Sequence, residues 1–241
     1  MAEISVRGLG IRFDLDRQVR PVTPAMTRIR SRISTVWALR DLSVDIGPGE
    51  GIALVGRNGA GKSTLLRAIA GVLPSDEGTV EVSGRIGSLL ATGAGLMSLL
   101  TGRENALLLG VLAGLAKPEV RASIPSIKEH SGLGEAFERP VTTYSQGMRA
   151  RLGFAVIEHV RPDILLLDEV HEAIDETFRA ELEERAQAIR DRGGIVIAAG
   201  HDHPMLARMC ERVFVLEPSG LRVADSFEDA EERMAAQGAL A

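Results

Sequence analysis

Apolar positions along the chain follow two rhythms. In the first quarter they come in short runs, over 4–6, 11–13, 42–46 and 52–55, separated by turn signals such as Gly47-Pro48-Gly49. Runs of that length between glycine and proline predict short strands, and 79–82 predicts another. Between 89 and 160 the spacing becomes helical, with Thr101-Gly102-Arg103-Glu104 forming a capping box ahead of a helix over 105–115 and Ser145 opening a further helix. Three continuous apolar runs follow, 164–167, 195–199 and 213–216, with a helical pattern over 176–190 between the first two. Unbroken runs of this kind suit strands covered on both faces, the condition of a parallel sheet.

The expected organisation is therefore an α/β domain over 1–224 with a helical subdomain, about 92–160, inserted in its core. The acidic, alanine-rich remainder, 225–241, is expected to be a surface helix or tail. With 241 residues, 45% of them hydrophobic, the chain can bury a full core. A net charge of -5 argues against affinity for nucleic acid built on phosphate neutralisation. Cys210 is the one cysteine, so no internal disulfide is expected, and its apolar neighbours Leu206 and Met209 predict a buried, inert thiol. No signal-peptide core and no run of about 18 apolar residues is found, which predicts a soluble, intracellular protein whose membrane role, if any, needs a partner.

Candidate chemistry concentrates at strand ends. The stretch 56-GRNGAGKST-64 follows the strand run 52–55 and precedes the apolar helix of Leu65, Leu66 and Ile69. It fits the phosphate-loop pattern G-x-x-x-x-G-K-[ST] in the order strand, loop, helix. The backbone of Gly56, Arg57, Asn58, Gly59, Ala60 and Gly61 is expected to cradle a triphosphate, with Ser63 and Thr64 at the helix start. Lys62 reaches the β- and γ-phosphates and the Ser63 hydroxyl ligates Mg²⁺. In 164-ILLLDEV-170, Asp168 and Glu169 stand at the carboxyl end of a buried strand, so Asp168 is expected to serve Mg²⁺ and Glu169 to polarise the attacking water. His201, after the run 195–199, is expected to contact the γ-phosphate or the water; His130, His159, His171 and His203 are expected to be structural or surface residues. Asp175 reads equally as a helix cap or a contact. In 142-TTYSQGMRARLGFA-155 a polar turn meets a helix start at Ser145, Gln146 and Gly147, a place suited to an anion but with no catalytic group beside it.

Taken in order, 56-GRNGAGKST-64, 144-YSQGM-148, 164-ILLLDEV-170, 172-EAID-175 and 199-AGHD-202 resemble the nucleotide-binding subunit of an ABC transporter. The resemblance implies a P-loop NTPase fold with a RecA-like core, an antiparallel β subdomain and a helical signature subdomain. It also implies ATP and Mg²⁺ as ligands and a head-to-tail homodimer in which Ser145, Gln146 and Gly147 complete the partner's site. Asp175 then corresponds to the D-loop aspartate and His201 to the switch histidine. Gln146 and Met148 depart from the usual signature, and the pattern Tyr-Ser-x-Gly-Met resembles the branch that exports polysaccharides, O-antigen or teichoic acid, as do 36-VWALRDLS-43 and 93-GAGLMSLLTGRENALL-108. An integral membrane permease, received by the region after 93-GAGLM-97, and a peripheral place on the cytoplasmic face of the plasma membrane follow from the resemblance.

Two departures matter. No glutamine occurs between Lys62 and Tyr144, so the segment 88–95 takes the place of the Q-loop, and an assembly or regulatory module of weak turnover is the alternative reading. Trp37 is the one aromatic residue between Phe13 and the phosphate loop, and either stacks on adenine or belongs to the core. Between Asp16 and Asp41 the segment carries Arg17, Arg20, Arg28, Arg30, Arg32 and Arg40 and no acidic residue, so it is either a solvated loop or a contact for anionic headgroups.

Overall fold

The computed structural model of the chain describes residues 1–16, 33–90, 95–169, 175–217 and 220–238. In chain order the strands and helices are β1 (Glu3–Asp16), β2 (Ile33–Ile46), β3 (Gly51–Val55), α1 (Lys62–Ile69), β4 (Glu77–Ser83) and β5 (Ile86–Leu90). Then come α2 (Gly102–Leu112), α3 (Lys117–Ser131), α4 (Gln146–Val160), β6 (Ile164–Asp168) and α5 (Glu176–Asp191). The last elements are β7 (Ile195–Ala199), α6 (His203–Met209), β8 (Arg212–Glu217), β9 (Gly220–Ala224) and α7 (Phe227–Gly238).

The strands form a three-stranded antiparallel sheet, β2-β1-β4, and a six-stranded sheet in the order β5-β6-β7-β3-β8-β9. From β5 to β8 the neighbours are parallel, and β9 turns back antiparallel on β8. Every residue of β3, β6 and β7 is buried, as their continuous apolar runs require. Alternate residues serve two cores: Ile52, Leu54, Leu166 and Ile197 face α1 and the antiparallel sheet, whereas Ala53, Val55, Leu165 and Val196 face α4, α5 and α6. A third core, built on Phe137, Val120, Leu152 and Val156, holds α2, α3 and α4 together.

Several sequence expectations change. The runs 4–6 and 11–13 lie in one strand, because β1 passes through register shifts between Val6 and Arg12 without leaving its pairing with β2. β2 begins at Ile33, well before the expected 42, since the segment after 33 has β1 to pair with. The edge strands β5 and β9 carry glycine or exposed polar residues, so neither shows a buried-strand run; tertiary pairing alone makes them strands. The capping box is present, Glu104 N–H donating to Thr101 Oγ1 and Thr101 N–H to Glu104, but α2 stops at Leu112 and leaves Leu115 in the following loop. Cys210 is buried against Met209 and Leu206, and burial pushes its thiol up to about 12. The segment bearing Arg17, Arg20, Arg28, Arg30 and Arg32 lies outside the described residues, as does His171.

Candidate active site

The carboxyl ends of β3, β6 and β7 meet at one edge of the parallel sheet, where open α/β sheets bind ligands. The chain leaves buried β3 into the loop 56–61 and enters α1 at Lys62. Gly61, the N-cap of α1, has φ 103°, and a Cβ there would lie 2.7 Å from the carbonyl oxygen of Ala38 on β2. A side chain at Gly56 would lie 2.6 Å from the carbonyl oxygen of Leu216 on β8. The loop is thus wedged between two strands, and only glycine fits at these contacts. No side chain caps α1, which leaves the amides of its first turn available to an anion.

Lys62 is 5% exposed and donates from Nζ to the carbonyl oxygens of Gly56 (2.7 Å) and Arg57 (3.3 Å). Burial lowers its pKa, opposed by the negative charges of Glu169 and Asp168. Asp168 ends β6 at 2% exposure, and its Oδ1 is buried with no hydrogen-bond partner. A buried carboxylate oxygen without a partner is costly and fits a bound cation. Mg²⁺ binds through one or two carboxylates plus phosphate oxygens and water, so Asp168 with the Ser63 hydroxyl is a suitable donor set.

Glu169 is turned away from its neighbour by the backbone. It adopts φ 53°, a left-handed conformation uncommon outside glycine, while its N–H donates to the carbonyl oxygen of Ala199 (2.9 Å) at the end of β7. Its carboxylate is 44% exposed and lies 3.9 Å from Nε2 of His201. That Nε2 donates to Oδ1 of Asn58 in the phosphate loop (2.8 Å). Asn58, Lys62, Asp168, Glu169 and His201 therefore form one constellation, in which the first carboxylate is buried for a cation and the second faces solvent.

The second half of the site stands on the helical subdomain. Ser145 is the N-cap of α4, its Oγ accepting from the Met148 N–H (3.2 Å), and Ser145 and Gln146 are exposed with Gly147 half-buried. Just before them Tyr144 is buried, its hydroxyl donating to the Ala136 carbonyl (2.6 Å), which fixes the start of the helix to its subdomain. Asp175 is the N-cap of α5, accepting from the Phe178 N–H (2.9 Å), and it also pairs with Arg151 of α4 (2.6 Å). The Arg151 guanidinium is the foremost cause holding the Asp175 carboxyl below its usual range.

Trp37 is half-buried on β2, flanked by the guanidiniums of Arg12 (5.9 Å) and Arg40 (5.6 Å). It stands outside the buried clusters and one residue from the strand segment that crowds Gly61. Sequence reasoning missed Arg151, and it did not see that Asn58 meets His201. A cavity of about 390 Å³ lies between α1, β5, α2 and α4, at the region after 93-GAGLM-97 where the family resemblance places the permease contact. Val72, Leu89, Leu96 and Leu112 line it with Arg67 and Arg149, and Val72 and Leu112 are exposed at its rim. On β5, Leu90 pairs with Asp168, so the segment expected to replace the Q-loop leaves the sheet beside the buried carboxylate; residues 91–94 lie outside the described residues.

The chain is similar to known proteins in sequence and in fold. The ABC transporter family model matches residues 39–172. The O-antigen export system ATP-binding protein RfbB of Klebsiella pneumoniae is 42% identical over 191 residues, 79% of this chain and 78% of RfbB. The teichoic acids export ATP-binding protein TagH of Levilactobacillus brevis is 35% identical over 212 residues, which is 88% of this chain and 58% of TagH. Among solved structures, a dimeric ATP-binding cassette in a post-hydrolysis state bound to ADP and Pi has a TM-score of 0.73 at 20% identity, covering 92% of this chain and 97% of that one. The ATP-binding subunit of an ABC transporter has a TM-score of 0.72 at 20% identity, covering 96% and 99%.

Proposed function

The chain belongs to the ABC transporter family, and from that premise we propose that it powers export of a cell-surface polysaccharide or related glycopolymer as the ATP-hydrolysing subunit. The observation that carries the ATPase reading is the meeting of Lys62, Asp168, Glu169 and His201 at one sheet edge, where Lys62 follows the loop from β3, Asp168 and Glu169 stand at the end of β6, and His201 follows β7. The cargo class rests on the likeness to proteins named for O-antigen and teichoic acid export.

In this reading the loop amides of 56–61 and Lys62 hold the triphosphate, Lys62 exchanging the Gly56 and Arg57 carbonyls for β- and γ-phosphate oxygens. Ser63 and Asp168 hold Mg²⁺, which neutralises charge on the phosphate oxygens when bound. Glu169 takes a proton from the water that attacks the γ-phosphorus as the bond to the bridging oxygen breaks, giving ADP and phosphate. His201 exchanges Asn58 Oδ1 for a γ-phosphate oxygen and so steadies the developing charge. Trp37 offers the adenine a face beside the loop.

Ser145, Gln146 and Gly147 bring an anion-binding helix end with no base of its own, which is what a second protomer needs across a head-to-tail dimer. The apolar cavity beside α2 and α4 receives a helix of a separate integral membrane permease, and the chain sits at the cytoplasmic face of the plasma membrane. Among the described residues no helix is long and apolar enough to cross a membrane, so the permease supplies the span. The test is Glu169→Gln. It should yield an ATP-dependent dimer with hydrolysis reduced by roughly 10²-fold or more; turnover at the parental rate removes Glu169 from the base role. Co-purification of a polytopic protein, and loss of a surface polymer when this chain is deleted, test the transport half.

A further inference from the structure

The turn after β7 is pinned at three successive residues to three different elements. His201 donates to Asn58 in the phosphate loop (2.8 Å). Asp202 caps α6, accepting from the Met205 N–H (3.1 Å), and pairs with Arg179 of α5 (3.2 Å). His203 meets Glu231 of α7, Nδ1 to Oε1 at 2.6 Å, and its ring packs against Phe227 at a tilt of 40°, with centroids 5.6 Å apart. The third anchor gives His203, expected to be a structural or surface residue, a partner on the segment after 225, expected to be a surface helix or tail.

α7 is more than a surface helix. Ala230 is fully buried, Phe227 and Met234 pack against the core shared by α5 and α6, and the helix contacts β8 and β9. Its start is fixed by Ser226, whose Oγ accepts from the Asp229 N–H (3.1 Å). The helix is thus a firm mount, and Glu231 projects from it to His203. The His203 side chain is 16% exposed, so water competes weakly on its side of the pair. The link onward is short: the His203 N–H donates to the His201 carbonyl oxygen (3.2 Å), so a shift of His203 moves the peptide that carries the catalytic imidazole.

We propose that Glu231, acting through His203, is a positioning residue for His201: the C-terminal helix sets the turn so that the His201 imidazole faces Asn58 and Glu169. The proposal rests on the reading of His201 as a catalytic residue. Misplacement of a reacting group by about 1 Å can cost about 10²-fold in rate. The pair lies beyond the phosphate loop, so its loss acts on turnover and leaves nucleotide affinity alone.

The experiment measures kcat and KM for ATP in Glu231→Ala, Glu231→Asp, His203→Asn and the double variant His203→Asn/Glu231→Ala. Arg233→Ala serves as a control that breaks the Arg233–Asp229 pair of the same helix without touching His203. Glu231→Ala should lower kcat by about 3- to 10-fold with KM unchanged, well inside the range positioning allows. Glu231→Asp should recover part of the loss, and the double variant should be no worse than either single. Parental kcat in Glu231→Ala, an equal loss in Arg233→Ala, or multiplicative losses in the double variant would overturn the proposal. His201→Ala, run beside them, separates the two levels: if it keeps parental turnover, the reading of the site fails; if it loses turnover while Glu231→Ala does not, only the positioning role fails.

Discussion

The two halves of the candidate site are built in opposite ways. The phosphate loop and its carboxylates grow out of strands buried on both faces, with Lys62 and Asp168 nearly closed to solvent and Gly61 and Gly56 pressed against neighbouring backbone. The helix start at Ser145 is exposed, capped only by its own hydroxyl, and mounted on a subdomain with a core of its own around Phe137 and Leu152. Reactive groups need a rigid support that fixes them to fractions of an ångström. A surface that binds one face of a nucleotide and then releases it needs to be accessible from outside the chain. In the proposed reading, the division of chemistry from closure follows from where each half is anchored, and α4 is tied to α5 by the Arg151–Asp175 pair and by the Phe154 and Phe178 rings, whose centroids are 5.1 Å apart.

This contrast can be tested from its strongest to its weakest consequence. Lys62→Ala should abolish measurable hydrolysis and weaken nucleotide binding, the loss in turnover being roughly 10²-fold or more; binding is read by fluorescent-nucleotide titration. Ser145→Arg should do the reverse, leaving nucleotide bound to the monomer but blocking the ATP-driven dimer seen in a Glu169→Gln background by size-exclusion chromatography. An Arg variant that still dimerises would show that the two halves do not meet.

A smaller effect tests the independence of the helical subdomain. Glu138 accepts from Arg103 of α2 (2.7 Å) and Lys128 of α3 (3.2 Å), and this pairing, led by Arg103, holds its carboxyl at about 2. A pKa below the unfolded value stabilises the folded state fully above about 4.5, and that contribution is lost as pH falls towards 2. Because the groups are exposed, the effect is modest. Glu138→Gln should lower the melting temperature slightly at pH 7, the difference from the parent should vanish near pH 2, and ATP affinity should be unchanged. Least of all, Cys210, with its thiol raised to about 12, should resist iodoacetamide at pH 8 in the folded protein and react once denatured.

The phosphate loop was legible because a strand, a turn and a helix in consecutive residues dictate where the lysine stands, and Asp168 and Glu169 were legible as candidates because they close a continuous apolar run. The pattern of continuous apolar runs likewise announced β3, β6 and β7. β5 and β9 were not legible, since an edge strand with glycine or polar residues has no periodicity to read until a neighbour pairs with it. Trp37 shows the same limit; its residue type suits either a core or a stacking platform, and only the placement of β2 beside Gly61 puts it outside the core. The site partners Asn58 and His201 are 143 residues apart, and Arg151 and Asp175 are 24 apart across two helices.

By itself, then, the sequence singled out the candidate residues of the site and their order, because hydrophobic rhythm and turn chemistry act over a few neighbouring residues. Tertiary structure decided which of them face one another: that Glu169 turns outward through a left-handed backbone, that His201 reaches the phosphate loop, and that His203 joins the last helix to the turn bearing His201. Such contacts depend on the stacking of whole strands and helices, and no local pattern encodes a distance across the sheet.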